Sequence, residues 1–332
     1  MQLARSIAVL AGLVALLSVG VLVLGWEPDR PVGELAQRWA QPPSQFVGIA
    51  GVQAHVRDEG RRDDPMPVVL LHGTSASLHT WDGWVELLQP ERRVVRVDLP
   101  GFGLTGPAAD SDYRIERYVG FTTQLLDTLG IERCVLAGNS FGGWVVWETA
   151  LAHPDRVGAL VLVDSAGYLL TSQSVPLGFR LAQVPLLSGL MESVLPRSVV
   201  ESSLRNTYGD PSRVTAALVD RYFELTLRAG NRAALAQRFA AGRHSQNPER
   251  LRDLRIPTLI LWGGRDRLIP PQFGQRFHDD IAGSQLVMFP GLGHVPHEED
   301  PRATAAAALA FLRRTGQSTD GSVAASTSPR TP

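Results

Sequence analysis

VLAGNSFGGWVVW (135–147) sets one polar pair, Asn139-Ser140, between two apolar runs and surrounds it with Gly138, Gly142 and Gly143. The run before it, RCVLAG (133–138), has the length and composition of a buried strand, and the run after it those of a helix reaching about 152. A strand that turns at once into a helix forces the residue at the bend into a sparsely populated backbone conformation, and its neighbours must be small to avoid collision. The same bend lifts the Ser140 hydroxyl above the strand end. It also aims the first amides of the helix at that point, where they can stabilise negative charge. G-x-S-x-G between a strand and a helix is the setting of a nucleophilic serine.

Outward from this bend, short apolar runs alternate with helical patterns. PVVLLH (67–72), RVVRVD (93–98), ALVLVD (159–164), TLILWG (258–263) and QLVMFP (285–290) join RCVLAG as runs fit for strands buried on both faces, as in a parallel sheet. FVGIA (46–50) and QAHVRD (53–58) flank Gly51 and read as an antiparallel hairpin. Helices are expected over 80–89, 114–129, 140–152, 271–282 and 301–314, with a short one at 34–40 ended by Pro42-Pro43. The alternation predicts a doubly wound α/β domain over 44–167 and 253–314. It lapses from 168 to 252, where the sequence reads as helices of mixed polarity. That is too long for one crossover, and it predicts a helical cap over the strands' carboxyl ends, where open α/β folds bind ligands. Its Leu186, Leu187, Leu190 and Met191 suit either an apolar pocket or the core of the cap itself.

The 332 residues can bury a sizeable core, and a net charge of −1 gives no sign of a nucleic-acid partner. All basic residues are arginine. The single cysteine, Cys134, excludes an internal disulfide and a cysteine-based metal cluster, and its apolar neighbours suit a buried thiol. The uncharged run from Ser6 to Trp26 is long enough to cross a bilayer, which takes about 20 apolar residues, and it lacks a cleavage site. Residues 1–26 are therefore expected to be an uncleaved transmembrane anchor, with a cleaved signal as the alternative. Arg5 ahead of the run places the N-terminus inside and the catalytic domain in an extracytoplasmic location. Residues 315–332 are small and polar and are expected to be a disordered tail.

A serine needs a base, and the base an orienting carboxylate. Asp266 in LILWGGRDRLIP and His294 in MFPGLGHVPHEEDP each follow a strand run within a glycine-rich loop, on the edge that carries Ser140, in the order Ser…Asp…His. Asp164, which ends ALVLVD, is a rival for the acid. Asp98 in VDLPGFG reads as a turn former, His297 as structural, and His72 as a holder of its loop. His55, His79, His153, His244 and His278 have no partner pattern and read as surface or packing residues. The oxyanion donors are expected to be the N–H groups of Phe141 and Thr74. No metal-ligand spacing occurs, so neither metal nor cofactor is expected.

LLHGTS, VDLPGFG, GNSFGG, GGRDRLIP and GLGHVPHEEDP, in this order from Phe46 to Arg314, resemble the α/β-hydrolase superfamily. The resemblance implies a mostly parallel eight-stranded sheet with helices on both faces and a helical cap. It matches Ser140, Asp266 and His294 to the family's nucleophile, acid and base. Haloalkane dehalogenases and epoxide hydrolases carry an aspartate where Ser140 stands. The G-N-S-F-G-G form is similar to that of carbon–carbon bond hydrolases of aromatic degradation, from which Thr74-Ser75-Ala76-Ser77 departs. The expected activity is hydrolysis of a small, apolar carboxylic ester. Carbon–carbon cleavage of vinylogous diketones by the same triad is the first alternative, and a non-catalytic binding protein the second.

Overall fold

The structure, a computed structural model, describes residues 6, 25–169, 173–184, 189, 192–241 and 247–324. One sheet organises them. Its strands are β1 (Gln45–Ile49), β2 (Val52–Gly60), β3 (Val68–Leu71), β4 (Arg93–Val97), β5 (Cys134–Asn139), β6 (Val157–Val163), β7 (Thr258–Gly263) and β8 (Gln285–Phe289). They lie in the order β1-β2-β4-β3-β5-β6-β7-β8. β1/β2 and β2/β4 are antiparallel, and the remaining neighbours are parallel. The hairpin at 46–58 thus extends the sheet at one edge, as its alternation implies.

In β3, Val69 and Leu71 face one core and Val68 and Leu70 the other, so the central strands are apolar throughout because both faces are covered. The first core takes in α3 (Ile115–Thr128), α4 (Phe141–Ala152) and α9 (Gln272–Asp280). The second takes in α2 (Asp82–Leu88) and α11 (Pro301–Ala324). β8 departs from the expected burial on both faces. It is the edge strand, and Met288 is 37% exposed. α11 runs past the expected end at 314. Its core residues Ala305, Ala308, Phe311 and Leu312 lie in its first half, and a nucleated helix propagates beyond its packed turns at little cost. Residues 325–332 lie outside the description.

Between β6 and β7 the described chain forms α5 (Leu177–Ala182), α6 (Arg197–Thr207), α7 (Ala216–Thr226), α8 (Asn231–Ala241) and a final 3₁₀ turn at Pro248–Asp253, with no strand among them. Leu186, Leu187, Leu190 and Met191 lie outside the described residues.

The expected membrane-anchored localisation is not upheld: among the described residues no helix is long and apolar enough to cross a membrane. Apart from Ser6, Gly25 and Trp26, the run that suggested one lies outside them. Hydropathy registers the length of an apolar run and not what receives it. What the structure does describe is the chain just after that run, and it is bound to protein. The Gly25 carbonyl accepts from the N–H of Leu195, the Glu27 N–H donates to Ser193, and Trp26 bridges to Val194. The Arg30 N–H donates to Leu227, and Asp29 accepts from the Gly230 N–H and from Arg232. The strap leads into α1 (Val32–Trp39), whose Leu35 packs on Leu104 and Leu225.

Candidate active site

Ser140 stands where β5 passes into α4, with φ +54° and ψ −116°. A non-glycine residue there costs about 1–3 kcal/mol and persists only where its surroundings over-determine it. They do so here. The Ser140 N–H donates to Val163, and its carbonyl accepts from Ala166 and Trp144. A Cβ on Gly142 would lie 2.3 Å from the Leu71 carbonyl oxygen, so only glycine lets α4 start against β3. On the other side Gly73 passes so close that its Cβ would stand 3.1 Å from the Ser140 Cβ.

That loop after β3 is held from below by Asp98, a buried hub rather than the turn former its sequence suggests. Its carboxylate accepts from the N–H groups of Leu78 (2.7 Å) and Leu104 (2.8 Å) and faces His55 Nδ1 at 2.8 Å. Burial opposes its charge, but His55, His72 and His79 outweigh burial and keep it well below the usual carboxylate range. His72 does hold the loop: Nδ1–H donates to Gly73 at 2.7 Å and Nε2 accepts from the Leu99 N–H at 3.0 Å.

Asp266 follows β7 and His294 follows β8. His294 Nδ1 lies 2.7 Å from Asp266 Oδ2, so Nδ1–H donates to the carboxylate and Nε2 is left as an acceptor. Asp266 Oδ1 accepts from the N–H groups of Leu268 (2.8 Å) and Ile269 (2.9 Å), which fix its rotamer. Both side chains are buried, Asp266 at 2% exposure and His294 at 4%.

Two residues that the sequence reading missed complete the support. Asn139 Nδ2 donates to the carbonyls of Val163 (3.1 Å) and His294 (3.0 Å), tying the serine bend to the histidine loop. The buried Glu299 accepts from the N–H groups of Gly293 (2.8 Å), Gly209 (2.9 Å) and Asp210 (2.8 Å), clamping that loop to the turn after α6. The contact is intimate. The His294 N–H donates to Thr207 at 2.7 Å, and a Cβ on Gly293 would lie 2.3 Å from the Thr207 oxygen. Asn139 precedes the nucleophile in the motif and Glu299 follows the histidine by five positions. Those adjacencies were the available signals.

Ser140, His294, Gly73 and Thr74 open onto one cavity of about 1100 Å³, its mouth included. The opposite wall is apolar: Phe179, Leu195, Val199, Val200, Leu204 and Leu235. Among the described residues that line it, Arg232 is the one that carries a charge, and it is ion-paired to Asp29 of the N-terminal strap at 2.6 Å. Phe141 starts α4 with its ring under the buried Arg238 guanidinium at 4.5 Å. Burial, with no carboxylate beside it, pushes Arg238 down to about 10.

The remaining sequence candidates are placed as follows. His297 is buried against Trp81, ring centroids 4.1 Å apart, and burial holds it well below its usual range, so it is structural. His55 and His79 are buried and, contrary to the expectation of no partner, hydrogen-bonded: His55 faces Asp98 and Ser44, and His79 Nε2 lies 3.0 Å from the Trp39 carbonyl. Cys134 is buried and its thiol is pushed up to about 12, which makes it inert. Asp164 lies beside Asp266 and His294, within 4.8 Å.

Residues 66–301 match the model of the alpha/beta hydrolase fold family. The chain belongs to the α/β-hydrolase family. An α/β-hydrolase from Pseudomonas sp., 2-hydroxymuconate semialdehyde hydrolase, is 30% identical over 259 residues, 74% of this chain and 85% of its own. A meta-cleavage product hydrolase from Pseudomonas fluorescens is similar in structure at a TM-score of 0.70 and 25% identity, covering 82% of this α/β-hydrolase and 97% of its own chain. A bacterial membrane phospholipase A is similar at a TM-score of 0.71 and 25% identity, covering 94% of this chain and 97% of its own. These likenesses shift the balance set by the sequence. They support hydrolase activity, and the names of the first two favour the carbon–carbon alternative over the ester reading.

Proposed function

We propose that this α/β-hydrolase is a serine hydrolase that cleaves carboxylic esters with an apolar acyl part. The observation that carries the reading is the 2.7 Å contact of His294 with Asp266 on the cavity that Ser140 also faces. In this scheme Ser140 Oγ attacks the ester carbonyl while His294 Nε2 takes its proton. The oxyanion is received by the N–H groups of Thr74 and Phe141. His294 returns the proton to the leaving alkoxide, and water, activated by the same imidazole, releases the acid from Ser140. Asp266 keeps the proton on Nδ1 and faces the imidazolium. No cofactor enters the scheme. The helices within 168–252 act as the cap that shapes the acyl pocket. The apolar wall from Phe179 to Leu235 supports an apolar acyl chain, and the likeness to a phospholipase A supports an ester bond.

The second reading is carbon–carbon cleavage of vinylogous diketones by the same triad, favoured by the relative at 30% identity. Purified protein offered p-nitrophenyl esters of increasing chain length and a vinylogous diketone separates the two. Ester turnover alone supports the first reading, and diketone turnover with idle esters replaces it with the second. If neither substrate reacts and a fluorophosphonate leaves Ser140 unlabelled, both readings fall and the non-catalytic alternative stands.

A further inference from the structure

The scheme above uses one carboxylate, yet two reach the imidazole. Asp164 follows β6 and Asp266 follows β7, strands paired from Leu160↔Thr258 to Val163↔Leu261. Asp164, Asp266 and His294 each put an atom within 4.8 Å of the other two, and all three are buried.

Their hydrogen bonds differ. Asp266 takes two amides on Oδ1 and the imidazole on Oδ2, which leaves Oδ2 one further acceptor site. Asp164 Oδ1 accepts from the Gly263 N–H at 2.9 Å, but Oδ2 is buried with no hydrogen-bond donor in reach. A charged oxygen left so is very unfavourable, whereas a protonated one is satisfied by any acceptor it faces. The acceptor beside it is the Asp266 carboxylate. Asp164 also has φ +43°, uncommon outside glycine although aspartate adopts it more readily than most residues, and its N–H is held by Leu261 at 3.0 Å. Backbone strain of this kind concentrates where a side chain must be aimed.

We propose that Asp164 is a positioning residue of the triad: as a neutral acid its Oδ2–H donates a hydrogen bond to Asp266, and when the carboxylate at 266 is removed it ionises and takes over the hydrogen bond to His294 Nδ1. The proposal rests on the assignment of Ser140, His294 and Asp266 made above. In the native site the cluster holds one proton on Asp164 Oδ2, one on His294 Nδ1 and one negative charge on Asp266. When His294 takes the serine proton, the imidazolium faces that single charge. With asparagine at 266, the Asp164 proton leaves to solvent and the single charge reappears on Asp164. Two influences keep Asp164 protonated in the native protein. Burial comes first and the Asp266 charge second, with Glu299 adding to them. Removing the Asp266 charge lifts one of these, while burial and Glu299 remain. The substituted enzyme must therefore work on the alkaline side of the native profile.

The test compares Asp266→Asn, Asp164→Asn and the double variant of the full chain, with pH profiles of kcat on the ester that the wild type turns over. A triad whose acid is simply lost falls by about 10⁴-fold. Asp266→Asn is expected to fall only about 100-fold at alkaline pH, with the acid limb of its profile displaced upward by about one unit or more. Asp164→Asn, whose amide can still donate to Asp266, is expected to fall about tenfold, and the double variant to reach the full 10⁴-fold. An Asp266→Asn enzyme as inactive as the double variant, or with an undisplaced acid limb, overturns the proposal. A second measurement needs neither turnover nor a folded double variant. Infrared difference spectra of the wild type at neutral pH should show the C=O stretch of a protonated buried carboxyl, which Asp164→Asn removes. Absence of that band also overturns the proposal. Failure of the triad assignment itself looks different: wild-type protein would then neither turn over an ester nor label with a fluorophosphonate at Ser140.

Discussion

At the carboxyl ends of β3, β5 and β7, backbone does the holding. Ser140 is pinned by Val163 and Ala166, Asp266 by two amides, and Gly73 by its approach to the serine. Across the cavity, α5, α6 and α8 contribute Phe179, Val199, Val200, Leu204 and Leu235; Val200 and Leu204 pack in a small cluster with Tyr208, Val214 and Val219, and Leu235 packs on the main core. Positions fixed by main chain tolerate almost no change in geometry, whereas a packed wall tolerates exchange of volume. Under the proposed function the first region would set what bond is attacked, and the second what fits.

The comparison breaks most visibly at Ser140. Ser140→Ala is expected to lower kcat by about 10⁴-fold or more while a thermal melt stays within about 2 °C of wild type. A variant that keeps several per cent of its turnover would move the chemistry off this edge. Gly142→Ala, on the same side, is expected to cost about 3 kcal/mol or more in urea unfolding, because its methyl meets the Leu71 carbonyl. Glu299→Gln, at the junction of the two regions, should lower stability by about 2 kcal/mol and kcat about tenfold, since an amide group now opposes backbone donors. On the wall, Val200→Phe should cut kcat/KM for long-chain esters about tenfold relative to acetate and leave stability within about 1 kcal/mol. Equal losses on all esters would show that the wall does not select.

The smallest effect concerns pH. Burial holds His72, His79 and His297 below the usual 6.5, with His79 near 3. The native state therefore binds fewer protons than the unfolded chain once pH falls below 6.5. Stability present above that value is lost as pH falls toward the native-state values. Urea midpoints should drop between pH 7 and 5, and His79→Asn should flatten the slope by up to about 1.4 kcal/mol per pH unit. An unchanged slope would place the acid-sensitive groups elsewhere.

The sheet was legible in the sequence because the information is local: each strand is a run of a few residues, and the serine bend carries its glycines with it. The Asp266 and His294 loops were legible for the same reason. Asp164 was legible as a strand-end carboxylate and a rival acid, but its place beside Asp266 was not, and Asn139 and Glu299 were legible only as neighbours of the motifs. Their partners, Asp266, His294 and Gly209, lie about 90 to 155 residues away in the chain, and adjacency to a motif does not name the pairing. β8 was read as buried because composition does not tell an edge strand from a central one. The docking of Gly25–Arg30 was hidden by the long apolar run just before it.

Gly209, Gly263 and Gly293 meet main chain to main chain: a Cβ on Gly263 would sit 1.9 Å from the Gly293 oxygen, and one on Gly209 would sit 2.5 Å from the Gly291 oxygen. A redesign that seeks a roomier hollow cannot tilt the inserted helices outward as one piece, because the imidazole loop would be dragged along with them. Grafting a foreign helical set would have to reproduce this three-way weld before it could offer any new preference. Diversification is left to the side chains that face the hollow.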